Sequence, residues 1–405
     1  MRILQLHNHQ SSSGGALHVM QHEAELLQSA GHSVEQLLEP AAEDSGMNAV
    51  AMGLSAVWNR KACRALERRI DTFKPDVVHV HTPFPLQSPA VFRVAHARGC
   101  ATVGTLHAYR YSCVGGLCFR DGKPCEDCVG STLKLAGIRH RCYHDSLAGS
   151  TALTLSLVGH RTIGTFANSV DRYLALTEFG RDLLIRDGFP AGKISVKPNA
   201  VPDPGPPLPF TERGGYALHV GRLTPEKGIE SLLEAWRSVG QGRELYIAGD
   251  GPLRTLVEAA AASDPRIHAL GWCDTATLTD LHARASLCIT PSRWYEGGPP
   301  MVVLDSLASG TPQLTSDLRN ISESIVEHGA GRTFAAGDAS ALAAAVNAVF
   351  ADDSARETMG TQARRLYEAE HTPQRNLQAL EEVFESVVEG RRARGHVRSS
   401  SQGGR

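Results

Sequence analysis

The chain has 405 residues, of which 42% are apolar and 21% are charged. At about 150 residues per domain, this length predicts two or three domains. The composition excludes a disordered, collagen-like or coiled-coil protein, and the near balance of 41 basic and 43 acidic residues argues against nucleic-acid binding by bulk charge.

No run of apolar residues is long enough to predict a membrane-spanning helix. The first residues, Met1 to Leu6, have the pattern of a strand and lack the features of a signal peptide. We therefore expect a cytoplasmic protein with reduced cysteines, in peripheral contact with the inner membrane face at most.

In the first half, short apolar runs alternate with amphipathic stretches, which predicts a parallel sheet covered on both faces. The predicted strands are Ile3–His7, Val34–Leu38, Val77–His81, Ala101–Leu106, Arg172–Leu176 and Ile194–Lys197. The predicted helices are Ala16–Ala30, Val57–Thr72 and Ser88–His96.

A proline-rich segment follows, with five prolines among residues 201–209. Neither a helix nor a central strand tolerates this density of proline, so residues 201–214 are predicted to form a semi-rigid linker.

After this linker, short apolar runs again alternate with amphipathic stretches. The predicted strands are Tyr216–Val220, Glu244–Ala248, Arg266–Leu270, Ser286–Thr290, Pro312–Ser316 and Arg332–Ala335, and the predicted helices are Glu226–Val239, Leu253–Ala262, Thr277–Arg284, Met301–Ala308 and Ala341–Phe350.

The predicted fold is α/β, with two doubly wound Rossmann-like domains that face each other across a cleft. The first domain covers residues 1–200 and the second covers residues 215–372. A helix over 373–390 is expected to cross back to the first domain. The tail 391–405 is basic and rich in serine and glycine, and is expected to be disordered; weak contact with an anionic membrane is the alternative.

Two cations follow the strand Tyr216–Val220 at its carboxyl end. Arg222 and Lys227 lie five residues apart in a turn that contains Gly221 and Gly228. A guanidinium fork and an ammonium at this position can converge on one diphosphate. The alternative is an ordinary exposed turn with two surface cations.

A second pattern covers residues 291–305. Pro300 suits the first turn of a helix, and the free amides of Met301 and Val302 would then point at an anion. Glu296 precedes this helix in a glycine-rich loop, and Asp305 lies about one turn into it. A helix-capping acid and a surface acid are the alternative interpretation.

The first half offers weaker signals. Gly14 and Gly15 end a serine-rich loop between the first strand and the first helix, where a phosphate or a sugar could approach the backbone. His107 follows the strand Ala101–Leu106 at its carboxyl end. A single histidine of this kind is more often a structural hydrogen-bonding residue.

Five of the nine cysteines lie between residues 113 and 142. Three interpretations stay open: a structural zinc site, packed thiols without metal, and a redox or iron–sulfur role. The zinc interpretation uses Cys113, Cys125, Cys128 and Cys142, with Cys118, His140 and His144 as substitutes for any one ligand.

The order of these segments resembles glycosyltransferase family 4, the retaining nucleotide-sugar enzymes of the GT-B fold, some of which carry a similar cysteine-rich insertion. The resemblance covers residues 1 to about 390. The matching segments are Gly14-Gly15, Thr105-Leu106-His107, Lys197-Pro198-Asn199-Ala200-Val201, Gly221-Arg222 through Lys227-Gly228, Gly249-Asp250-Gly251-Pro252, Glu296 through Asp305, and Ala308-Ser309-Gly310-Thr311-Pro312.

The resemblance implies that the first domain, with its insertion at 108–145, serves the acceptor, and that the second binds the nucleotide-sugar. In the second domain, Arg222 and Lys227 would bind the donor diphosphate and stabilise it as it leaves. Glu296 would hold sugar hydroxyls with help from the backbone of Gly297 and Gly298.

The resemblance further implies that Asp305 grips the ribose and that His107 hydrogen-bonds the transferred sugar. Gly14 and Gly15 would line the acceptor side, and Asn199 would serve as a hinge. Two segments depart from the family pattern. Eight residues instead of seven separate the two acids of the Glu296 motif, and Leu318 and Arg319 stand where the family often has two glycines.

The expected activity is retaining transfer from a UDP-hexose or UDP-N-acetylhexosamine to a lipid-linked saccharide, polysaccharide or small-molecule acceptor. The sequence contains no Asp-x-Asp motif, so the arginine–lysine pair is expected to replace a divalent ion and catalysis to need no cofactor. The alternatives are a nucleotide-sugar epimerase or phosphorylase on the same fold, and a catalytically inactive sugar-nucleotide-binding subunit.

Overall fold

The computed structural model describes residues 1–8, 15–39 and 46–402. The chain divides into two compact units. Unit 1 contains residues 1–118, 126–198 and 376–405, and unit 2 contains residues 119–125 and 199–375. Within the described residues, no helix combines the length and the apolar character needed to cross a membrane.

Each unit is built on a six-stranded sheet with parallel pairing throughout. The sheet of unit 1 has the order β2-β1-β3-β4-β7-β8, that of unit 2 has the order β11-β10-β9-β12-β13-β14, and β5 and β6 form an antiparallel hairpin. The strands are β1 Arg2–Asn8, β2 Ser33–Glu39, β3 Val77–Thr82, β4 Ala101–Leu106, β5 Phe119–Arg120, β6 Lys123–Pro124, β7 Arg172–Ala175, β8 Ile194–Val196, β9 Ala217–Val220, β10 Leu245–Ala248, β11 Ile267–Gly271, β12 Leu287–Thr290, β13 Gln313–Ser316 and β14 Gly331–Phe334.

Helices connect these strands, as parallel pairing requires. The α-helices are α1 Gly15–Ser29, α2 Ala49–Val57, α3 Arg60–Phe73, α4 Ala90–Ala97, α5 Leu135–Arg139, α6 Leu147–Thr162, α7 Thr165–Asn168, α8 Glu178–Arg186, α9 Ile229–Trp236, α10 Arg254–Ser263, α11 Thr275–Arg284, α12 Met301–Ala308, α13 Arg319–Glu327, α14 Ala339–Phe350, α15 Asp353–Leu366 and α16 Pro373–Gln402. Short 3₁₀ turns cover Ala191–Lys193, Phe210–Glu212 and Pro225–Lys227, and a π turn covers Tyr367–His371.

The central strands of unit 1 are buried on both faces, and their side chains therefore alternate between two apolar layers. Leu4 and Leu6 of β1 pack into one layer. Ile3 packs into the opposite layer together with Leu380 and Phe384 of α16. The last helix of the chain thus covers one face of the first sheet.

The proline-rich segment is attached to unit 2. The guanidinium of Arg364 binds both carboxylate oxygens of Asp203 at 2.8 Å and donates to the carbonyls of Gly205 and Ala308 at 3.1 and 2.7 Å. These contacts fix a segment that forms no regular hydrogen-bond ladder of its own.

Several segments differ from the sequence prediction. The helix expected over Glu226–Val239 begins only at Ile229, because Gly228 has a φ of 77° and ends a 3₁₀ turn. The tail expected to be disordered from residue 391 continues as helix α16 to Gln402, since Arg391 and Arg394 pair with Asp171 at 2.8 and 2.9 Å. The structure also contains helices that the sequence prediction lacks, namely α2, α5, α6, α7, α8, α13 and α15.

Candidate functional site

The two sequence signals of unit 2 meet in an ion pair. Nζ of Lys227 lies 2.5 Å from Oε1 of Glu296. Lys227 belongs to the turn after β9, and Glu296 to the loop after β12, which is the neighbouring strand of the sheet. The carboxyl ends of parallel strands meet at one edge of a sheet, which is where ligands bind in such folds.

Oε1 of Glu296 receives two further hydrogen bonds. Oγ of Ser292 donates to it at 3.0 Å, and Nε1 of Trp294 donates at 2.9 Å. The Trp294 ring also lies under the lysine, with its centroid 5.7 Å from Nζ. The acid is buried, with 7% of its surface exposed, and this set of donors fixes the position of its carboxyl group.

Backbone contacts fix the position of the Glu296 loop. Nδ2 of Asn320 donates to the Glu296 carbonyl at 2.9 Å, and Oγ of Ser316 donates to the Ser292 carbonyl at 2.6 Å. Asn320 belongs to α13, which sequence reasoning missed. Only the three-dimensional pairing of these loops shows the role of the asparagine.

Glycines allow the loops around Lys227 to pack closely. A Cβ on Gly228 would lie 1.9 Å from the Pro291 carbonyl oxygen, and one on Gly249 would lie 1.9 Å from the Gly221 carbonyl oxygen. Both distances are far below van der Waals contact. Gly249 therefore lets the turns after β9 and β10 pack closely together.

Helix α12 begins at Met301, three residues after Gly298. Pro300 is its N-cap rather than part of its first turn, and no side chain caps the helix. Met301 and Val302 are the first two helical residues, so their amides have no carbonyl one turn earlier to bind. With Gly297 in the preceding loop, these amides present the positive end of the helix dipole.

Arg222 and Asp305, the other two predicted side chains of unit 2, differ in environment. Arg222 is exposed, and its guanidinium has no hydrogen bond or ion pair with the residues described. Asp305 lies in the second turn of α12, where burial raises the pKa of its carboxyl group to about 7. The structure joins neither residue to the Lys227–Glu296 pair.

In unit 1, His107 follows β4 and is hydrogen-bonded to polar groups that are buried in the interior of the unit. Nε2 of His107 lies 2.9 Å from Nδ1 of His81, and the two rings are stacked with their centroids 5.2 Å apart. Burial, with the nearby His7 and Lys197, lowers the pKa of His107 to about 3. The ring is therefore neutral at physiological pH and suited to hydrogen bonding.

Four buried residues lie on the interior side of His107, and the sequence predicts no functional role for them. Glu23 of α1 and His79 and His81 of β3 are buried, and Lys197 forms an ion pair with Glu23. Two histidines at alternate positions of a predicted buried strand were the available signal, because such residues share one face of a sheet. For Glu23 and Lys197, no comparable sequence spacing predicts that they lie near these histidines.

The predicted glycine loop is only partly described. Gly14 lies outside the described residues, whereas Gly15 is the first residue of α1. A Cβ on Gly15 would meet no described atom within 4 Å. Steric crowding within the described chain therefore gives no reason for glycine at this position.

The cysteine-rich segment is divided between the two units. Cys125 belongs to unit 2, with the hairpin β5–β6, and Cys113, Cys128 and Cys142 belong to unit 1. Cys118 hydrogen-bonds to Cys113, which together with nearby backbone amides lowers the pKa of Cys113 to about 6. Among the described residues, the four proposed zinc ligands do not form a set with ligand atoms within 4.8 Å of one another. Zinc at these cysteines stays a prediction.

A buried lysine anchors the segment in unit 1. Nζ of Lys134 donates to the carbonyls of Ser112 and Cys128 at 2.8 and 2.9 Å and to Asp187 at 3.0 Å. Arg161 also pairs with Asp187, at 2.5 Å. The loops that carry Cys113 and Cys128 are thus ordered by contacts that need no metal.

Two family models match the chain. The model for glycosyl transferases group 1 matches residues 214–352, and the model for the glycosyl transferase 4-like domain matches residues 14–200. The first match includes all six strands of the unit 2 sheet, and the second includes five of the six strands of the unit 1 sheet.

Curated relatives match over part of their length. A glycogen synthase of Mycobacterium tuberculosis is 30% identical over 181 residues, which are 43% of this chain and 43% of the relative. The O-antigen chain mannosyltransferase B of Escherichia coli is 28% identical over 212 residues, which are 47% of this chain and 54% of the relative. The chain thus spans about half the length of these relatives.

Solved structures match over nearly the whole chain. A sucrose-phosphate synthase from Thermosynechococcus elongatus has a TM-score of 0.71 and 17% identity, and the match covers 96% of this chain and 99% of that one. The Anabaena protein HepE, solved in complex with UDP, has a TM-score of 0.65 and 15% identity, with 95% and 100% of the two chains covered. At this identity the likeness establishes the fold, which is GT-B.

Proposed function

We propose that this chain, which belongs to the family 4 glycosyltransferases of the GT-B fold, moves a hexose or N-acetylhexosamine from a UDP donor to an acceptor hydroxyl with retention of configuration. The observation that carries this proposal is the Lys227–Glu296 ion pair, which lies at the carboxyl ends of adjacent strands. The solved structure of HepE with UDP supports a uridine nucleotide as the first candidate.

Lys227 and Arg222 would neutralise the donor diphosphate. Breaking the bond between sugar and phosphate leaves negative charge on the departing diphosphate, which fixed cations and amides stabilise. The lysine is already held in place by Glu296 and Trp294, and the exposed guanidinium of Arg222 can reorient towards the ligand. The amides of Met301 and Val302 would add the helix dipole.

The remaining predicted residues would orient the sugars. Glu296, with the backbone of Gly297 and Gly298, would accept hydrogen bonds from donor hydroxyls, and Asp305 would contact the ribose. His107 would hydrogen-bond the transferred sugar, and the Gly14 and Gly15 loop would approach the acceptor. A saccharide, lipid-linked saccharide or small metabolite fits this role.

We further propose that the transfer needs no divalent ion, because the sequence has no Asp-x-Asp motif and two cations flank the proposed diphosphate site. This role for side-chain cations is separate from any structural metal elsewhere in the chain.

Thermal stabilisation by nucleotides tests donor binding. We expect UDP and UDP-sugars to raise the melting temperature of the wild-type chain more than GDP or ADP do, and Lys227→Met to lose most of the shift. Lys61→Met, at an exposed lysine of α3, is the matched control. If no nucleotide diphosphate stabilises the wild type, or if Lys227→Met is stabilised equally, the proposal is wrong.

Proton NMR of the reaction tests the chemistry. We expect a new glycosidic signal with the anomeric configuration of the donor, appearing only when an acceptor is present. An epimer formed from the donor alone would indicate the epimerase alternative instead. Binding without turnover over a broad acceptor panel would indicate an inactive binding subunit.

A further inference from the structure

Three buried polar atoms in unit 1 lie close to one another and have no hydrogen-bond partner among the described residues. They are Oε2 of Glu23, Nδ1 of His79 and Nε2 of His81. Nε2 of His81 and Oε2 of Glu23 lie 3.7 Å apart, which is too long for a hydrogen bond. All three residues are at most 2% exposed. Leaving a buried polar atom unpaired is costly, so three together require an explanation such as a bound ion or water.

The same three side chains can converge on one ion. Each offers one ligand atom, and these atoms lie within 4.8 Å of one another. No other set of three or more metal-ligating side chains meets this distance in the described parts of the chain. Two imidazoles and a carboxylate are a ligand set that holds zinc in proteins, with the fourth position open to water.

The second polar atom of each side chain is held by a neighbour. Nε2 of His79 lies 2.7 Å from Oγ1 of Thr105. Nδ1 of His81 lies 2.9 Å from Nε2 of His107, and Oε1 of Glu23 accepts from Lys197. Metal-ligating histidines and carboxylates usually have such outer partners, which orient the ligand and fix the tautomer.

We propose that Glu23, His79 and His81 form a binding site for one divalent transition-metal ion of the zinc class. The ion would occupy the space between the three unpaired atoms, with a water as its fourth ligand. Lys197 balances the charge of the carboxylate and leaves Oε2 as the single oxygen directed at the ion. The site is distinct from the cysteine-rich segment and does not rest on the proposed transferase activity.

Whether an ion occupies the proposed metal site would determine the tautomer of His107. An ion on Nε2 of His81 requires the remaining ring proton to be on Nδ1, which then donates to Nε2 of His107. His107 would keep its own proton on Nδ1 and present it as a donor. Without an ion, His81 is able to direct an Nε2 proton at Glu23 and accept from His107, which reverses this polarity.

Cobalt binding to the full chain tests the site. After removal of metals with a chelator, we expect one Co²⁺ per chain at this site, with the visible absorption of a four-coordinate nitrogen–oxygen site. X-ray absorption of the zinc-loaded wild type should show a shell of nitrogen and oxygen neighbours. Sulfur ligands alone, with no nitrogen–oxygen site, would instead place all the metal in the cysteine-rich segment and overturn the proposal.

Variants locate the ion. His81→Gln and Glu23→Gln should abolish the visible cobalt bands, and Thr105→Val, which removes only an outer partner, should weaken binding about 10- to 100-fold. The controls are Cys113→Ser with Cys128→Ser, and His282→Asn at a buried histidine of unit 2; both should bind Co²⁺ as the wild type does. If the ligand variants do not fold, the wild-type absorption data still decide the question.

Nitrogen-15 NMR of histidine-labelled protein gives an independent readout. Zinc should move the His107 proton to Nδ1, whereas it should leave the tautomer of His282 unchanged. A stoichiometric water at this position, with no binding of Co²⁺ or Zn²⁺ by the wild type, would show that the three atoms are satisfied without metal and that the proposal is wrong.

Discussion

Oε1 of Glu296 receives hydrogen bonds from Lys227, Ser292 and Trp294. The arrangement holds the Lys227 ammonium at a fixed position before any ligand binds. Preorganisation of this kind lets charge stabilisation act without rearrangement during the reaction. Arg222, by contrast, is exposed and would have to be ordered by the ligand.

Alanine substitutions should separate these two cations. We expect Lys227→Ala and Arg222→Ala each to lower kcat about 100- to 1000-fold, because each removes a charge that stabilises the departing diphosphate. Only Lys227→Ala should also lower the melting temperature, since it leaves Glu296 buried without its ion pair. Steady-state kinetics and thermal denaturation check both expectations. Near-normal turnover in both variants would contradict the proposed role.

Asp305 gives a prediction about pH. Its pKa is about 7 in the folded chain and about 4 in an unfolded chain. Between these values the unfolded state loses the proton first, so stability falls as pH rises through this range and levels off above it. Asp305→Asn should therefore gain about 2–4 kcal/mol relative to the wild type between pH 4 and pH 8. Denaturant unfolding of both proteins at the two pH values measures this. A difference that does not change with pH would contradict a raised pKa for Asp305.

At the level of elements, the turn before α9 depends on Gly228. Both Gly228 and Gly271 have a positive φ, of 77° and 67°. A Cβ on Gly228 would collide with the Pro291 carbonyl, whereas a Cβ on Gly271 would meet no described atom within 4 Å. A comparison of substitutions at these two glycines therefore separates the effect of close packing from the effect of backbone conformation.

Gly271→Ala should cost about 1–2 kcal/mol, the ordinary penalty of the left-handed conformation. Gly228→Ala should cost more than about 3 kcal/mol, because the loop that carries Glu296 must also move away. Gly228→Ala should also reduce UDP binding, whereas Gly271→Ala should not. Chemical denaturation and a UDP titration check this, and equal losses of stability would show that the Pro291 contact is unimportant.

The elements themselves were largely predictable. Strands β3 and β4 are short, apolar runs buried on both faces, and the sequence marks them clearly. Helix α6 was missed because its apolar residues do not keep to one face, and the start of α9 was misplaced because the sequence does not show the Pro291 contact that requires Gly228. The local pattern of apolar residues predicts whether a segment is a helix or a strand. The residue at which the helix or strand begins also depends on contacts with residues far away in the sequence.

The candidate site was predictable only in part. Lys227 and Glu296 each follow a predicted strand, but their pairing across 69 residues depends on β9 and β12 being neighbours. Glu23, His79 and His81 had no shared motif, since they lie on α1 and β3 and meet only through the packing of that helix on the sheet. The role of Asp305 stays a prediction.

For the whole molecule, α16 joins the end of the chain to the core of unit 1. Phe384 is fully buried in the layer that contains Ile3 and Val77. Phe384→Ala should destabilise unit 1 by about 3–5 kcal/mol through the cavity it leaves. Glu385→Ala, at the exposed neighbouring position, is the control. Limited proteolysis should cleave unit 1 of Phe384→Ala faster than unit 2; equal protection in both variants would show that α16 is dispensable.

The return of α16 to the first sheet also sets an order of events during synthesis. Residues 199–375 can emerge from the ribosome and fold while the apolar layer around Ile3 still lacks Leu380 and Phe384. The sheet of unit 1, although it is translated first, is therefore the last to have its apolar face covered. Until then its uncovered face is available to a chaperone. A ribosome stalled with residues 376–405 still in its exit tunnel should therefore carry a folded unit 2 and an incomplete unit 1.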